Sequence, residues 1–191
     1  MRLHNVKDLA YRDAWRRRGE VLGIFANIAR KFDRLMLALA DRSVIVEPAT
    51  DTLADLVIYA AKYLTWLAEM YPTEFDLASR GVLDAPTASA NRGSASVAGV
   101  LSVLGSYEAR VGISPVGDGV VGMERVCDDF GELELVLMDQ AAGRSPVAPE
   151  RKIELAWRLV SSASWLLAVQ AVDWPNAVNA FRREVDRIAP E

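Results

Sequence analysis

A chain of 191 residues, 51% of them apolar, can bury one large core or two small ones, which excludes an intrinsically disordered protein. The formal net charge of −4 argues against a nucleic-acid duplex as the main partner, because duplex-binding surfaces carry an excess of cations that recruit phosphates. The single cysteine, Cys127, excludes an intramolecular disulfide and fits a reducing, cytoplasmic setting, with a buried thiol expected in preference to a nucleophile.

Apolar residues recur at i, i+3, i+4 along most of the chain, the signature of amphipathic helices. A first helix is expected over about Val6 to Arg18, its Arg16, Arg17 and Arg18 forming a solvated basic face. A second runs from about Val21 to Asp41, with Ile24, Ile28, Phe32, Leu35 and Leu39 on one stripe. Val44 to Pro48 reads as a connector with local β character. Asp51 and Thr52 then open a third helix, whose acids favour the positive end of its dipole. Its buried side is Leu53, Leu56, Val57, Ala60, Leu64 and Leu67, and Pro72 is expected to end it or its immediate continuation. The charged N-terminal residues match no secretory leader. The longest apolar runs, Leu53 to Leu67 and Leu159 to Val172, fall short of the ~20 residues of a bilayer span, so no membrane partner is expected.

Small and polar residues around 84 to 96 read as a linker, and the pattern after it resembles the pattern before it. An offset of 98 pairs Ile28 with Val126, Phe32 with Phe130, Leu35 with Leu133, Leu37 with Leu135 and Leu39 with Leu137. An offset of 99 pairs Asp51 with Glu150, Asp55 with Glu154, Leu56 with Leu155, Trp66 with Trp165 and Leu67 with Leu166. These matches point to a tandem duplication. The expected fold is therefore all-α: two duplicated helical hairpins packed as a four-helix-type bundle, an intramolecular pseudo-dimer. The first repeat spans 1–80, the linker 81–98 and a degenerate second repeat 99–191.

Chemistry-bearing residues concentrate in the first third. Asn27, Lys31 and Arg34 share one stripe of the second helix, which Glu20 joins if that helix starts early; Asp51, Asp55 and Lys62 share one side of the third. Carboxylates without histidine or cysteine beside them suit a hard cation such as Mg²⁺, and neighbouring lysine and arginine suit a polyphosphate. On spacing alone the same residues read more readily as helix-terminal acids and surface ion pairs. Tyr11 and Trp15, at i and i+4, could stack on a base or pack in the core. His4, the one histidine, has no triad neighbours, and no glycine-rich phosphate loop is present.

Three blocks in order, Tyr11-x-Asp13-x-Trp15-x-x-x-Gly19, Ile28-Ala-Arg-Lys-Phe-Asp-Arg-Leu35 and Asp51-Thr-Leu-x-Asp-Leu-x-x-Tyr59, resemble the nucleotide modification associated domain 1 family. That family is frequent in phages and bacteria and is related to the MazG-like all-α nucleoside triphosphate pyrophosphohydrolases. The resemblance covers about residues 8 to 68. It implies a helical bundle that holds Mg²⁺ on carboxylates and cleaves a (d)NTP to the monophosphate and pyrophosphate. Carried over by position, it makes Glu20, Asp51 and Asp55 metal ligands, with Glu20 and Asp55 catalytic. Lys31 and Arg34 would meet the phosphates, and Asp13, Trp15 and Asn27 the sugar or base.

The superfamily's usual acidic pairs are spaced i, i+3. Here Asp51 and Asp55 are spaced i, i+4, Glu20 has no acid at i+3, and Ile58 stands where an asparagine is common. In the second half Lys31 pairs with Asp129, Arg34 with Glu132 and Glu20 with Gly119, while Glu150 and Glu154 keep the acidic pair. One functional site per chain is expected, walled by the second half. The leading expectation is a Mg²⁺-dependent pyrophosphohydrolase. The alternatives are a catalytically silent nucleotide-binding or regulatory helical module, and a helical scaffold in which the acid and base stripes pair with each other. Further homo-oligomerisation, and a contribution of Glu150 and Glu154 to the site, stay open at this point.

Overall fold

The computed structural model describes residues 12–40, 49–83 and 119–173. Every regular element among them is helical: a 3₁₀ turn at Arg12–Trp15, a π-helical turn at Glu20–Phe25, then α1 (Ala26–Ala40), α2 (Ala49–Met70), α3 (Pro72–Leu83), α4 (Gly119–Ala141) and α5 (Pro149–Asp173). The expected all-α bundle is what forms. Helices α1 and α2 pack as one hairpin, α4 and α5 as a second, and α2 lies against α5 along the centre while α3 covers part of α5. No helix among the described residues is long and apolar enough to cross a membrane.

Local chemistry sets the element boundaries. In place of a first helix up to Arg18, the described part of that segment makes one 3₁₀ turn and then a hydrogen-bonded turn over 16–18; residues 6–11 lie outside the description. Gly19 follows with φ +78°, a left-handed conformation that glycine adopts without a Cβ penalty, and it lets the chain reverse into the π turn. The second helix thus begins as π rather than α. Pro72 does not end the helical path but opens α3, a position where its missing N–H is harmless. The amides of Tyr71 and Phe75 still donate to Leu67 and Tyr71 (both 2.8 Å), so α3 continues from α2 through a break of one residue. α3 also runs through Leu83, three residues into the segment expected as linker from 81; residues 84–98 and the connector 44–48 lie outside the description. At the end of α4, Gly143 (φ +66°) donates to the Gln140 carbonyl and Arg144 donates to the Asp139 carbonyl, both at 3.0 Å. This Schellman pair satisfies the last carbonyls and turns the chain toward Pro149 at the start of α5.

The apolar stripes meet in one core. Ile28, Leu35, Leu53, Leu56, Leu64, Leu67, Val126, Leu133, Leu155 and Leu166 are all at most 1% exposed. Positions paired by the two offsets share their surroundings: Ile28 and Val126 are both buried, as are Leu35 and Leu133, while Leu37 and Leu135 are both exposed. Phe32 of α1 and its partner Phe130 of α4 stack on each other with ring centroids 3.9 Å apart and planes 10° from parallel, and Phe25 stacks on the same ring at 5.7 Å. The two hairpins therefore meet through equivalent side chains on α1 and α4, and through backbone-close packing on α2 and α5.

Candidate functional site

The π turn carries Glu20 inward. Asn27 Nδ2 donates to the Gly23 carbonyl of that turn at 2.7 Å. The Asn27 Oδ1 accepts from Arg30 Nη2 at 3.3 Å. Asn27, expected at a sugar or base, thus has both side-chain atoms engaged within its own helix.

Glu20 is surrounded by donors from three other elements. Tyr63 of α2 donates its hydroxyl to Oε1 at 2.7 Å; Lys152 of α5 reaches Oε1 at 2.9 Å and Oε2 at 3.1 Å; Gln140 of α4 donates to Oε2 at 3.3 Å. Side chains of Lys152 and Glu20 are 2% and 11% exposed, and the ammonium also lies 5.2 Å from the centre of the Tyr71 ring. Burial pushes the Tyr63 phenol far above its ordinary range, with the negative charge of Glu20 and the hydrogen bond to it adding to the effect. Tyr63 therefore stays protonated and donates to Glu20.

Asp55 lies elsewhere on the α1–α2 seam. It forms an ion pair with Lys31, whose side chain is 6% exposed against 29% for the carboxylate. Tyr63, the contact of Glu20, is eight residues after Asp55 in α2, about 12 Å along the axis. Asp51 is half-buried in the first turn of α2, and Arg34 is exposed on α1. Trp15 is half-buried against the core, with Lys62 Nζ 5.2 Å and the Arg16 guanidinium 5.8 Å from its ring centre. The buried Lys62 also lies 5.6 Å from the Tyr59 ring, so the tryptophan face expected to receive a base carries protein cations. Asp13 falls in the 3₁₀ turn, with its side chain outside the description, as are Tyr11 and His4.

Divalent cations need several open oxygens converging within ~2.0–2.6 Å of one point. Both Glu20 oxygens are already occupied by donors, and Asp55 is neutralised by a different lysine two turns away. Among the described residues, no group of three or more histidine, cysteine, aspartate or glutamate side chains is arranged to hold a metal. As placed, the expected ligands do not fit Mg²⁺.

The second hairpin has its own polar seam. Arg158 of α5 donates from Nε to Asp129 at 2.9 Å and from both terminal nitrogens to Glu132 at 3.1 and 3.2 Å. Arg151 bridges Glu132 at 2.7 Å and Glu154 at 2.8 Å. Glu154 is thus spent on a neighbour, and Glu150 is exposed at the start of α5. Lys152, Tyr63 and Gln140 were not singled out by motif or stripe. Lys152 did carry a signal, because by the offset of 99 it stands where the first hairpin has Leu53, a lysine on an apolar stripe. No protein-family model matches this chain, and no curated protein and no solved structure matches it.

Proposed function

We propose that this protein is a catalytically silent nucleotide-binding or regulatory module built on a pyrophosphohydrolase-like helical bundle. One observation carries the silent part of this reading: the carboxylate expected at the centre of catalysis, Glu20, is partly buried and saturated by Lys152, Tyr63 and Gln140. A carboxylate has about four lone-pair sites, and four donor contacts fill them. The nucleotide part rests on the resemblance of residues 8 to 68 and on the basic residues Arg17, Arg18, Arg30 and Arg34, exposed in the turn before Gly19 and along α1. Guanidinium groups on such a surface suit a polyphosphate.

A panel of ribo- and deoxynucleoside triphosphates, each with and without Mg²⁺, tests the reading by thermal shift and phosphorus NMR together. The expected result is a rise in Tm with at least one nucleotide and no new phosphorus signal, since a ligand that binds only the native state stabilises it by mass action. Monophosphate and pyrophosphate appearing in the spectrum would return the protein to the hydrolases. Indifference to every nucleotide would leave a helical scaffold.

A further inference from the structure

We propose that two internal ammonium groups, Lys152 at Glu20 and Lys31 at Asp55, supply the positive charge that a divalent cation would otherwise bring, so that this bundle is charge-compensated without a metal. The inference rests on the silent-module reading and explains how the fold keeps its acids.

Two features of Lys152 require explanation. It rises from the buried face of α5 with 1% of its surface exposed, beside Ile153, Leu155 and Ala156, which are fully buried. The equivalent position in the first hairpin, 152 − 99 = 53, is a leucine with no exposed surface. Packing alone therefore accepts an aliphatic side chain here, and an unpaired lysine in such a place costs several kcal/mol. What the lysine gains is Glu20, held by both oxygens, and the Tyr71 ring face behind the ammonium. What Glu20 gains is the only cation among its four donor contacts, because Tyr63 and Gln140 are neutral. The arrangement repeats at lower burial on the α1–α2 seam, where Lys31 at 5% exposure meets Asp55. Two of the three carboxylates expected as metal ligands thus carry a buried lysine each, in two separate places. Adding a cation to either would place it beside a buried ammonium of like charge, which is unfavourable unless the lysine leaves.

Mn²⁺ is the probe of choice, because its electron paramagnetic resonance signal reports binding directly, with Mg²⁺-dependent Tm as a second readout. The wild-type chain is expected to bind no Mn²⁺ tightly and to show no shift in Tm with millimolar Mg²⁺. Lys152→Met leaves Glu20 uncompensated. That variant should lose stability, recover part of it on addition of Mg²⁺ or Mn²⁺, and lose the recovery in the Lys152→Met/Glu20→Gln double variant. If Lys152→Met does not fold, Lys31→Met makes the same test at Asp55, where partial solvation softens the loss. Mn²⁺ bound by the wild type and released by Glu20→Gln or Asp55→Asn overturns the proposal, as do folded lysine variants that stay blind to metal. Nucleotide turnover by the wild type would defeat the silent-module reading instead. Metal-blind lysine variants beside a wild type stabilised by nucleotide would defeat the lysine assignment alone.

Discussion

In the α1–α2 hairpin the cation stands on the first helix and the acid on the second, Lys31 against Asp55; in the α4–α5 hairpin Asp129 and Glu132 stand on the first helix and Arg158 on the second. The apolar positions of the two hairpins correspond closely while the polar seam runs with opposite sign. Reversal costs little when both sides of a seam reverse together, since opposite charges still face each other across each helix pair and the core beneath is untouched. Burial follows a different rule. Lys31 is 6% exposed against 29% for Asp55, whereas Arg158, Glu132 and Arg151 are 37–43% exposed and Asp129 alone, at 11%, is withdrawn from water, so the second seam is the more solvated of the two. The Glu20–Lys152 pair belongs to neither seam: it joins the π turn of one half to α5 of the other.

The sharpest break of this comparison removes one lysine from each half. Lys152→Met strands a carboxylate that is only 11% exposed, and the loss of one partner of such a pair costs about 3–5 kcal/mol. Lys31→Met strands a carboxylate that is 29% exposed and reaches water, so a smaller loss is expected, about 1–3 kcal/mol. Urea unfolding of the two variants beside the wild type measures both. Equal losses would mean that burial does not distinguish the pairs.

A second test probes where the halves differ in packing. Gly122 stands by the offset of 98 where the first hairpin has Ile24, and a Cβ built on it would lie 2.4 Å from Cζ3 of Trp165 and 3.1 Å from Cδ1 of Leu166. Gly122→Ala must therefore push the indole outward. Helix propensity favours alanine by up to ~1 kcal/mol, but overpacking costs about 1–3 kcal/mol, so a net fall in stability is expected. A gain would show that Trp165 moves freely and that the α4–α5 contact yields to a methyl group.

Where the hairpins are alike, the Phe32–Phe130 stack is the link to measure. Leucine at each position singly and at both closes a double-mutant cycle, with an expected coupling of about 0.5–1.5 kcal/mol. Coupling near zero would mean that the rings share a place without holding the halves together.

Much of this fold was legible because apolar periodicity reports burial directly. The stripe Leu53, Leu56, Leu64, Leu67 and its counterparts in α5 needed only the 3.6-residue repeat. The pairing of Phe32 with Phe130 was also visible as an offset, though only the structure shows that the two rings touch. The candidate site was less legible for a physical reason. Spacing says which charges share a helix face but not which face another helix will cover, so Lys31, Arg34 and Asn27 read as one stripe and then divide. Lys31 is buried, Arg34 is exposed, and Asn27 serves the π turn. Glu20 could not be placed, because its position depends on a π turn whose only local sign is Gly19. Its partners lie at separations of 43, 120 and 132 residues, which no local pattern encodes.

The smallest effect concerns the solvated seam and its dependence on pH. Hydrogen bonding from Arg158 holds the Glu132 carboxyl below its ordinary value; burial opposes this, and the charges of Arg158 and Arg151 reinforce it. A carboxyl lowered in the folded state contributes stability that is fully present above its unfolded pKa of about 4.3, and this is lost as pH falls through the folded value. Glu132→Gln removes that contribution. The variant should therefore be slightly less stable than the wild type at neutral pH, and the two stability curves should converge as the solution is acidified below about pH 4. Because Glu132 is 43% exposed, the gap at neutral pH should also shrink in high salt, where exposed charges are screened. Curves that stay parallel across the acid limb would show that Glu132 contributes through packing alone, and the inverted seam would then be a matter of shape rather than charge.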